Sequence, residues 1–319
     1  MPQPTQSDVH VDAILTNISV AYIQSSNKFM STQAFPVVPV EKQSDLYYTY
    51  TKNDWFRDEA ERRADSTESA GSGYGLSTAS YRCDVWAFHK DVGDQMRANA
   101  DNPIKPDTEA TQFVTQRLML RQEIQWVSDY FTTGVWATDK TVTSTWDDYA
   151  ASDPIEDMEE CKEVMLAATG FEVNTLVLGY QVYRKLKHHP DIIDRIKYTT
   201  GVTGRTVTPE LLAAMFDVER VLVSKAIKAT NEEGQTGAYA FTHGKHALAM
   251  HVAPNPGLMT PSAGYVFTWR GISEGLGTDI GITRFRIPEK RTDRVEGQVA
   301  FDNKVVASDL GYFFGSVVA

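Results

Sequence analysis

The stretch from Asp107 to Gly134, DTEATQFVTQRLMLRQEIQWVSDYFTTG, constrains this chain more than any other. It is the longest uninterrupted helical pattern in the sequence. Phe113, Leu120, Ile124, Val127 and Phe131 recur at helical spacings, which gathers them on one side of a 3.6-residue helix; Val114 and Leu118 widen that stripe. Trp126 and Tyr130 form a second apolar pair on another side. Pro106 blocks an upstream helix, Asp107 can accept from the free amides of the first turn, and Gly134 offers a left-handed stop. At 1.5 Å per residue such a helix spans roughly 40 Å, the width of a small domain. A helix that long, apolar on more than one side, packs against more than one layer.

The rest of the composition sets bounds. A chain of 319 residues makes two domains or one elaborate one. Hydrophobic residues at 42% and charged residues at 23% are those of an ordinary globular protein. There is no apolar run long enough for a transmembrane helix, so no membrane partner is expected, and MPQPTQSDVHVDA has no secretory pattern. Cys83 and Cys161 are too few for a disulfide framework and fit a reducing compartment. A formal charge of −11 argues against a protein that grips nucleic acid through its phosphates.

Along the chain, residues 9–24 carry Val11, Ile14, Leu15, Ile18 and Tyr22 at helical spacing, and Pro36 and Pro39 then force an extended path. This reads either as an arm that lies along something else or as a helix docked on its own domain. LYYTYT at 46–51 and ASYRCDVWAFHK at 79–90 read as strands. Between them runs NDWFRDEAERRADSTESAGSGYGLST. Its acids Asp54, Asp58, Glu59, Glu61, Asp65 and Glu68 are interleaved with Arg57, Arg62 and Arg63, and it is Gly- and Ser-rich further on. A connection this long, with little apolar surface beyond Trp55 and Phe56, does not belong inside a compact domain. Mixed charges and two large aromatic rings point to a partner surface.

Downstream, residues 154–169 form a helix with Pro154 in its first turn. Its buried stripe runs through Ile155, Met158, Cys161, Val164 or Met165, and Ala168, and Gly170 stops it. A strand at 171–178, helices near 179–189 and 190–199, and a helix started by Thr208-Pro209 follow. Strands are expected at 218–230 and 245–253, then aromatic strands over 263–287, then two strands around Asp302-Asn303.

The search for chemistry is negative. His243, His246 and His251 make the one ligand-like cluster, but on a strand from Lys245 the last two point to opposite faces, and no fourth ligand is evident. Tyr183 and Lys187 match the Y-x3-K pair of short-chain dehydrogenases without the glycine-rich phosphate turn that chemistry needs. No Walker loop or G-x-S-x-G occurs. No catalytic, cofactor or metal residues are assigned, and an enzyme is not expected.

The order of parts, arm, long two-stranded excursion, spine helix, α/β region and closing β segment, resembles the major capsid proteins of tailed bacteriophages with the Hong Kong 97-type fold. The strings that carry it are STQAFPVVPVEKQSDLYYTYTKNDWFRDEAERRA, YRCDVWAFHKDV, DTEATQFVTQRLML with YFTTGVW, and NTLVLGYQVYRKLKHHPDIIDRIKY. They look like capsid proteins of actinobacterial siphophages, and the likeness runs from about residue 9 to the end.

The resemblance implies an α+β capsid fold. Residues 1–44 would be the N-terminal arm, 45–90 an extended loop, 91–170 a peripheral domain with the spine helix 107–134, 171–285 an axial domain, and 286–319 a returning β segment. It implies hexamers and pentamers in an icosahedral virion shell, assembled in the host bacterial cytoplasm around double-stranded DNA contacted weakly. Scaffolding, portal and cement or decoration proteins would be separate partners. Inter-subunit contacts would then come from Trp55, Phe56, Arg57, Asp58, Glu59, Glu61, Arg62 and Arg63 on the loop and from Ile14, Ile18 and Tyr22 on the arm. Trp126 and Tyr130 would lie under loop or arm segments. The acid-rich stretch 147–163 would face basic stretches such as Arg184–Lys187 or Arg284–Arg294 across subunits. The alternatives are an encapsulin-type compartment shell and, from another class, a soluble oxidoreductase or metalloenzyme.

Overall fold

The computed structural model describes residues 24–100, 104–200, 207–257, 259–271 and 280–319. In chain order its first elements are β1 (Val37–Val40), β2 (Ser44–Tyr50), the single turn α1 (Lys52–Trp55), β3 (Leu76–Arg82) and β4 (Asp84–Gly93). Then come α2 (Asp94–Ala98), the spine helix α3 (Pro106–Tyr130), β5 (Thr138–Thr141), α4 (Pro154–Thr169) and β6 (Thr175–Gly179). Next are α5 (Tyr180–Leu186), α6 (Pro190–Thr200), α7 (Pro209–Met215), β7 (Arg220–Ser224), β8 (Ile227–Ala229) and β9 (Tyr239–Phe241). β10 (Ala247–Met250), β11 (Gly264–Trp269), β12 (Gly281–Ile287), β13 (Thr292–Val305) and β14 (Gly311–Gly315) close the chain.

These elements form two five-stranded sheets. The first runs β1-β11-β13-β12, with β4 on the other flank of β13; the second runs β5-β14-β10-β6-β7. β2 and β3 pair as a separate hairpin, as do β8 and β9. Neither sheet is contiguous in sequence. α4 packs with the second sheet, and β11 and most of β12 join the first sheet from inside the 171–285 stretch.

Alternation along the second sheet decides the layering. Leu176, Leu178, Val221, Val223, Ala247, Ala249, Tyr312 and Phe314 face a core shared with α4, α5, α6 and α7. Val177, Leu248, Met250 and Phe313 face the opposite way, into a core shared with Trp126, Tyr130 and Phe131 at the end of the spine. β6 is buried along its whole length, as a strand covered on both faces must be. The N-terminal half of α3 lies on the first sheet, where Val114 and Leu118 meet Val299 and Phe301. Gly297 permits that approach: a Cβ there would stand 2.6 Å from Val114 Cγ1 and 2.7 Å from Leu118 Cδ1.

The spine therefore touches two layers, but its buried face differs from the expected stripe. Ala110, Val114, Leu118, Gln122, Trp126 and Tyr130 are buried, an i+4 ridge that runs obliquely along the helix. Phe113 is 42% exposed, and Leu120, Ile124 and Val127 are half-buried. The ends also differ. Pro106 is the first helical residue, Lys105 precedes it without a side-chain cap, and Asp107 pairs with Arg97 at 2.8 Å instead of capping. The helix stops at Tyr130, and Gly134 takes its positive φ of 82° in the turn beyond.

Other boundaries shift for identifiable reasons. The expected 79–90 strand breaks at Cys83: β3 pairs with β2, whereas β4 pairs with β13. Tyr81 and Cys83 are buried, but Val85 and Ala87, placed on the same side by the expected alternation, are exposed. The expected turn at Asp302-Asn303 is absent because β13 runs straight through it. Both side chains are spent on neighbours: Arg82 N donates to Asp302 Oδ2 at 2.7 Å, and Asn303 Nδ2 donates to Asp129 Oδ2 at 2.8 Å. α4 follows expectation at Pro154, its first residue, and at Gly170, which closes it at φ +74°; Asp153, which the sequence reading did not single out, caps it, its Oδ1 accepting from Ile155 N and Glu156 N. Its stripe takes Met165 over Val164, and Thr169 in place of Ala168. Thr208 caps α7, with Pro209 at its first position, as the sequence indicates.

Candidate assembly surface

Two segments lie outside the two large sheets. The first is the strap of residues 24–36, which crosses the subunit before β1. Gln24 makes both hydrogen bonds of a strand residue through its side-chain amide, with Ile227 O at 2.8 Å and Ile227 N at 2.9 Å. Arg220 donates to Gln33 O and Ala34 O, both at 3.2 Å, and to Thr175 Oγ1 at 3.1 Å. Phe35 then enters an aromatic cage, 4.5 Å from Tyr130, 6.0 Å from Trp126 and 6.5 Å from Trp136 between ring centres.

The second segment is the β2–β3 hairpin. Its register sets Tyr50 opposite Leu76, Tyr48 opposite Thr78 and Leu46 opposite Ser80. Paired residues share a face, so Leu46, Tyr48, Tyr50 and Leu76 line one side. The other side anchors the root. Tyr81 stacks on Phe267 at 4.7 Å, Tyr47 lies 5.5 Å from the same ring, and Cys83 N donates to Gln43 O at 2.8 Å. Burial pushes the Cys83 thiol up to about 12, which keeps it protonated and inert.

At the tip, Asp54 Oδ2 accepts from Gly75 N at 2.8 Å, closing the one-turn helix against the return strand. Tyr50, Trp55 and Tyr74 form an aromatic triangle with centre separations of 5.6–6.4 Å, yet Trp55 stays 54% exposed and Tyr74 59%. Phe56, 62% exposed, reaches over Gly170, and Lys52 forms an ion pair with Asp309. Leu46 and Tyr48 are each 61% exposed and Leu76 54%. Arg57 lies 3.8 Å from Asp54 and 3.7 Å from Glu59, and Arg63 Nε donates to Thr67 O. Asp58, Glu61 and Arg62 are exposed and form no ion pair among the described residues.

The other expected site residues fall elsewhere. Ile14, Ile18 and Tyr22 lie outside the described residues. Trp126 and Tyr130, 1% and 0% exposed, are sealed by the chain's own strap, so no surface remains there for a neighbour. The acid-rich stretch and the basic stretches find partners within the subunit. Asp147 pairs with Lys185 at 3.4 Å, Asp157 with Lys140 at 2.9 Å, and Arg294 with Asp91 at 2.7 Å. Arg284 and Arg286 hold Asp293 down to about 2, with Arg97 also 2.9 Å away, at the junction of β12, β13 and α2.

The residues weighed for chemistry make contacts within the subunit, and Lys187 Nζ lies over the Tyr183 ring, 5.5 Å from its centre. Tyr183 is buried and donates to Val207 O at 3.0 Å. His243 is sealed near Trp126 and Phe131, His246 Nδ1 accepts from Ser316 N, and His251 Nδ1 donates to Glu172 O. No group of three metal-ligating side chains converges among the described residues. One constellation had no sequence signal: Ser152 Oγ lies 3.1 Å from His189 Nε2, and His189 Nδ1 lies 3.5 Å from Asp191. The order is that of a nucleophilic triad, but Ser152 gives its proton to Asp148 O at 2.7 Å. His189 must therefore donate to the hydroxyl, the reverse of a general base, and neither side chain is open to a substrate.

No family model matches the chain. Over 317 residues, 96% of each chain, it is 25% identical to the major capsid protein of Burkholderia phage BcepMu. A phage-related protein from Bordetella bronchiseptica superposes with a TM-score of 0.66 at 19% identity, over 91% of this chain and 92% of the other. The capsid structure of cyanophage P-SCSP1u gives 0.62 at 11% identity, over 98% and 94%. The SrpI encapsulin of Synechococcus elongatus shares the fold at 0.57 and 14% identity, over 96% and 95%. The chain thus has the Hong Kong 97-type α+β fold of tailed-bacteriophage capsid proteins, and its sequence is similar along nearly its whole length to a phage major capsid protein.

Proposed function

We propose that this chain is the major capsid protein of a tailed bacteriophage and that copies of it build the icosahedral shell of the head. The observation that carries this reading is the hairpin. Leu46, Tyr48, Trp55, Phe56, Tyr74 and Leu76 are all more than half exposed on one excursion of a capsid fold. Burying each large apolar side chain is worth about 1.5–3 kcal/mol. The surface that covers them belongs to a second copy. Many such modest contacts, repeated around a closed shell, add by multivalency.

On this reading residues 1–44 are the arm and the hairpin is the extended loop. The excursion proper is Ser44–Arg82, since β4 is part of the body. The first sheet with α3 is the peripheral domain and the second sheet with α4–α7 the axial domain. Subunits gather as hexamers and pentamers around double-stranded DNA, which a chain of net charge −11 contacts weakly. Scaffolding, portal and cement proteins are separate partners, and assembly takes place in the host bacterial cytoplasm. The role is structural, not catalytic.

Electron microscopy of the expressed chain tests this. Closed megadalton particles are expected from the wild type. Trp55→Ala with Phe56→Ala should leave folded subunits that no longer close into particles. A wild type that stays a small oligomer, or a double variant that forms normal shells, overturns the reading. The fold shared with an encapsulin supplies the second reading, a shell around protein cargo. Nucleic acid inside particles from the native source separates the two.

A further inference from the structure

One buried polar group takes no part in any assembly surface. Glu123 sits at mid-length of α3 with its side chain fully buried. Its Oε2 accepts from Met30 N and Ser31 N, both at 2.8 Å. Its Oε1 lies 3.3 Å from Ser224 Oγ and 3.5 Å from His243 Nδ1. A single carboxyl thus touches the strap, the end of β7 and the turn before β10.

The protons around it can be assigned by elimination. Thr242 Oγ1 donates to Ala226 O at 3.2 Å, since a carbonyl only accepts. At 3.1 Å from His243 Nδ1 the same hydroxyl must then accept, so His243 carries its proton on Nδ1. Burial holds His243 down to about 3, which leaves the imidazole neutral and no counter-charge for the carboxylate. His243 is the one titratable group within ion-pair distance of Glu123 among the described residues. Lys28 on the strap and Lys225 after β7 form no ion pair with it.

A sealed carboxylate without a cation is costly. As a carboxylate it accepts from Ser224 Oγ at Oε1; as a neutral carboxyl it keeps Oε2 accepting from both amides and turns that bond around, with Oε1 donating its proton to the Ser224 hydroxyl. Burial pushes Glu123 above the ordinary glutamate range, against the pull of the Met30 and Ser31 amides and of the Ser31 and Ser224 hydroxyls. We propose that Glu123 is a proton-controlled clasp that fastens the strap to α3 and β7 when protonated and loosens it when the proton leaves. A carboxyl held above its free value contributes stability that is whole at low pH and is lost as pH rises through the buried-state value. The inference concerns a contact inside one chain and does not rest on the shell reading.

Hydrogen exchange on the full chain between pH 5 and pH 8, corrected for intrinsic exchange, tests it. Protection at Met30 and Ser31 should fall about tenfold or more across that range, while the β10 amides, such as Leu248, hold steady. Glu123→Gln, which cannot ionise, should flatten the strap profile, and Ser224→Ala should shrink the fall. A wild-type profile that is flat or rises with pH overturns the clasp, and so does a Glu123→Gln profile with the wild-type slope. Should Glu123→Gln not fold, the wild-type contrast between strap and β10 amides still decides.

Discussion

The strap and the hairpin are both excursions of about the same chemical character, polar segments punctuated by aromatic rings, and the subunit treats them in opposite ways. The strap is held along its length. Glu123 and Arg220 grip its main chain, Gln24 pairs its own side-chain amide with the main chain of Ile227, and Phe35 is 2% exposed within the cage of Trp126, Tyr130 and Trp136. The hairpin is held at its root by Tyr47 and Tyr81 on Phe267, and its tip meets the body through little more than one surface ion pair and one ring edge. Rings buried by their own chain belong to the fold. Rings left in water by it are, on the proposed reading, those of the assembly. The difference lies in the receptor surface, which the strap finds within the subunit and the hairpin does not.

That contrast can be broken most sharply at Phe35. Phe35→Ala removes the ring that closes the cage and should cost about 3–5 kcal/mol of subunit stability, seen as a large fall in thermal midpoint. A shift no larger than that of a surface substitution would mean the strap is not part of the core. Arg220→Ala removes three hydrogen bonds at the strap's exit and should cost about 1–3 kcal/mol, read by chemical denaturation and by faster proteolysis within residues 24–36. Lys52→Ala, at the hairpin tip, should cost well under 1 kcal/mol because exposed ion pairs contribute little. An effect as large as that of Arg220→Ala would show that the tip, too, is fastened within its own chain.

Much of this was legible in the residues. Pro154 and Gly170 bracket α4, Thr208-Pro209 opens α7, and the charged, glycine-rich insert after Tyr50 marks an excursion whose aromatic residues do remain exposed. The buried face of the spine was not legible. A helix held between two sheets presents several apolar rows, and the choice of the i+4 ridge depends on Gly297, far along the chain, letting β13 come close. Glu123 and Arg220 gave no sequence signal because their partners are backbone atoms, which carry no letter of their own. The polar pair Asp302-Asn303 misled for a related reason. Turn-forming residues and residues that reach across to another element look alike until the other element is in place.

The break at Cys83 has a mechanical consequence. β3 leaves the hairpin and becomes β4 with one residue between them, and β4 pairs with β13 in ten consecutive positions, from Asp84 opposite Phe301 to Gly93 opposite Thr292. A pull on the hairpin, passed through Cys83 along β4, loads those pairs together in shear, so no single hydrogen bond bears the load alone. The segment that reaches outward is therefore the free end of a strand locked into the body, and tension at the tip is delivered straight to the longest strand of the subunit.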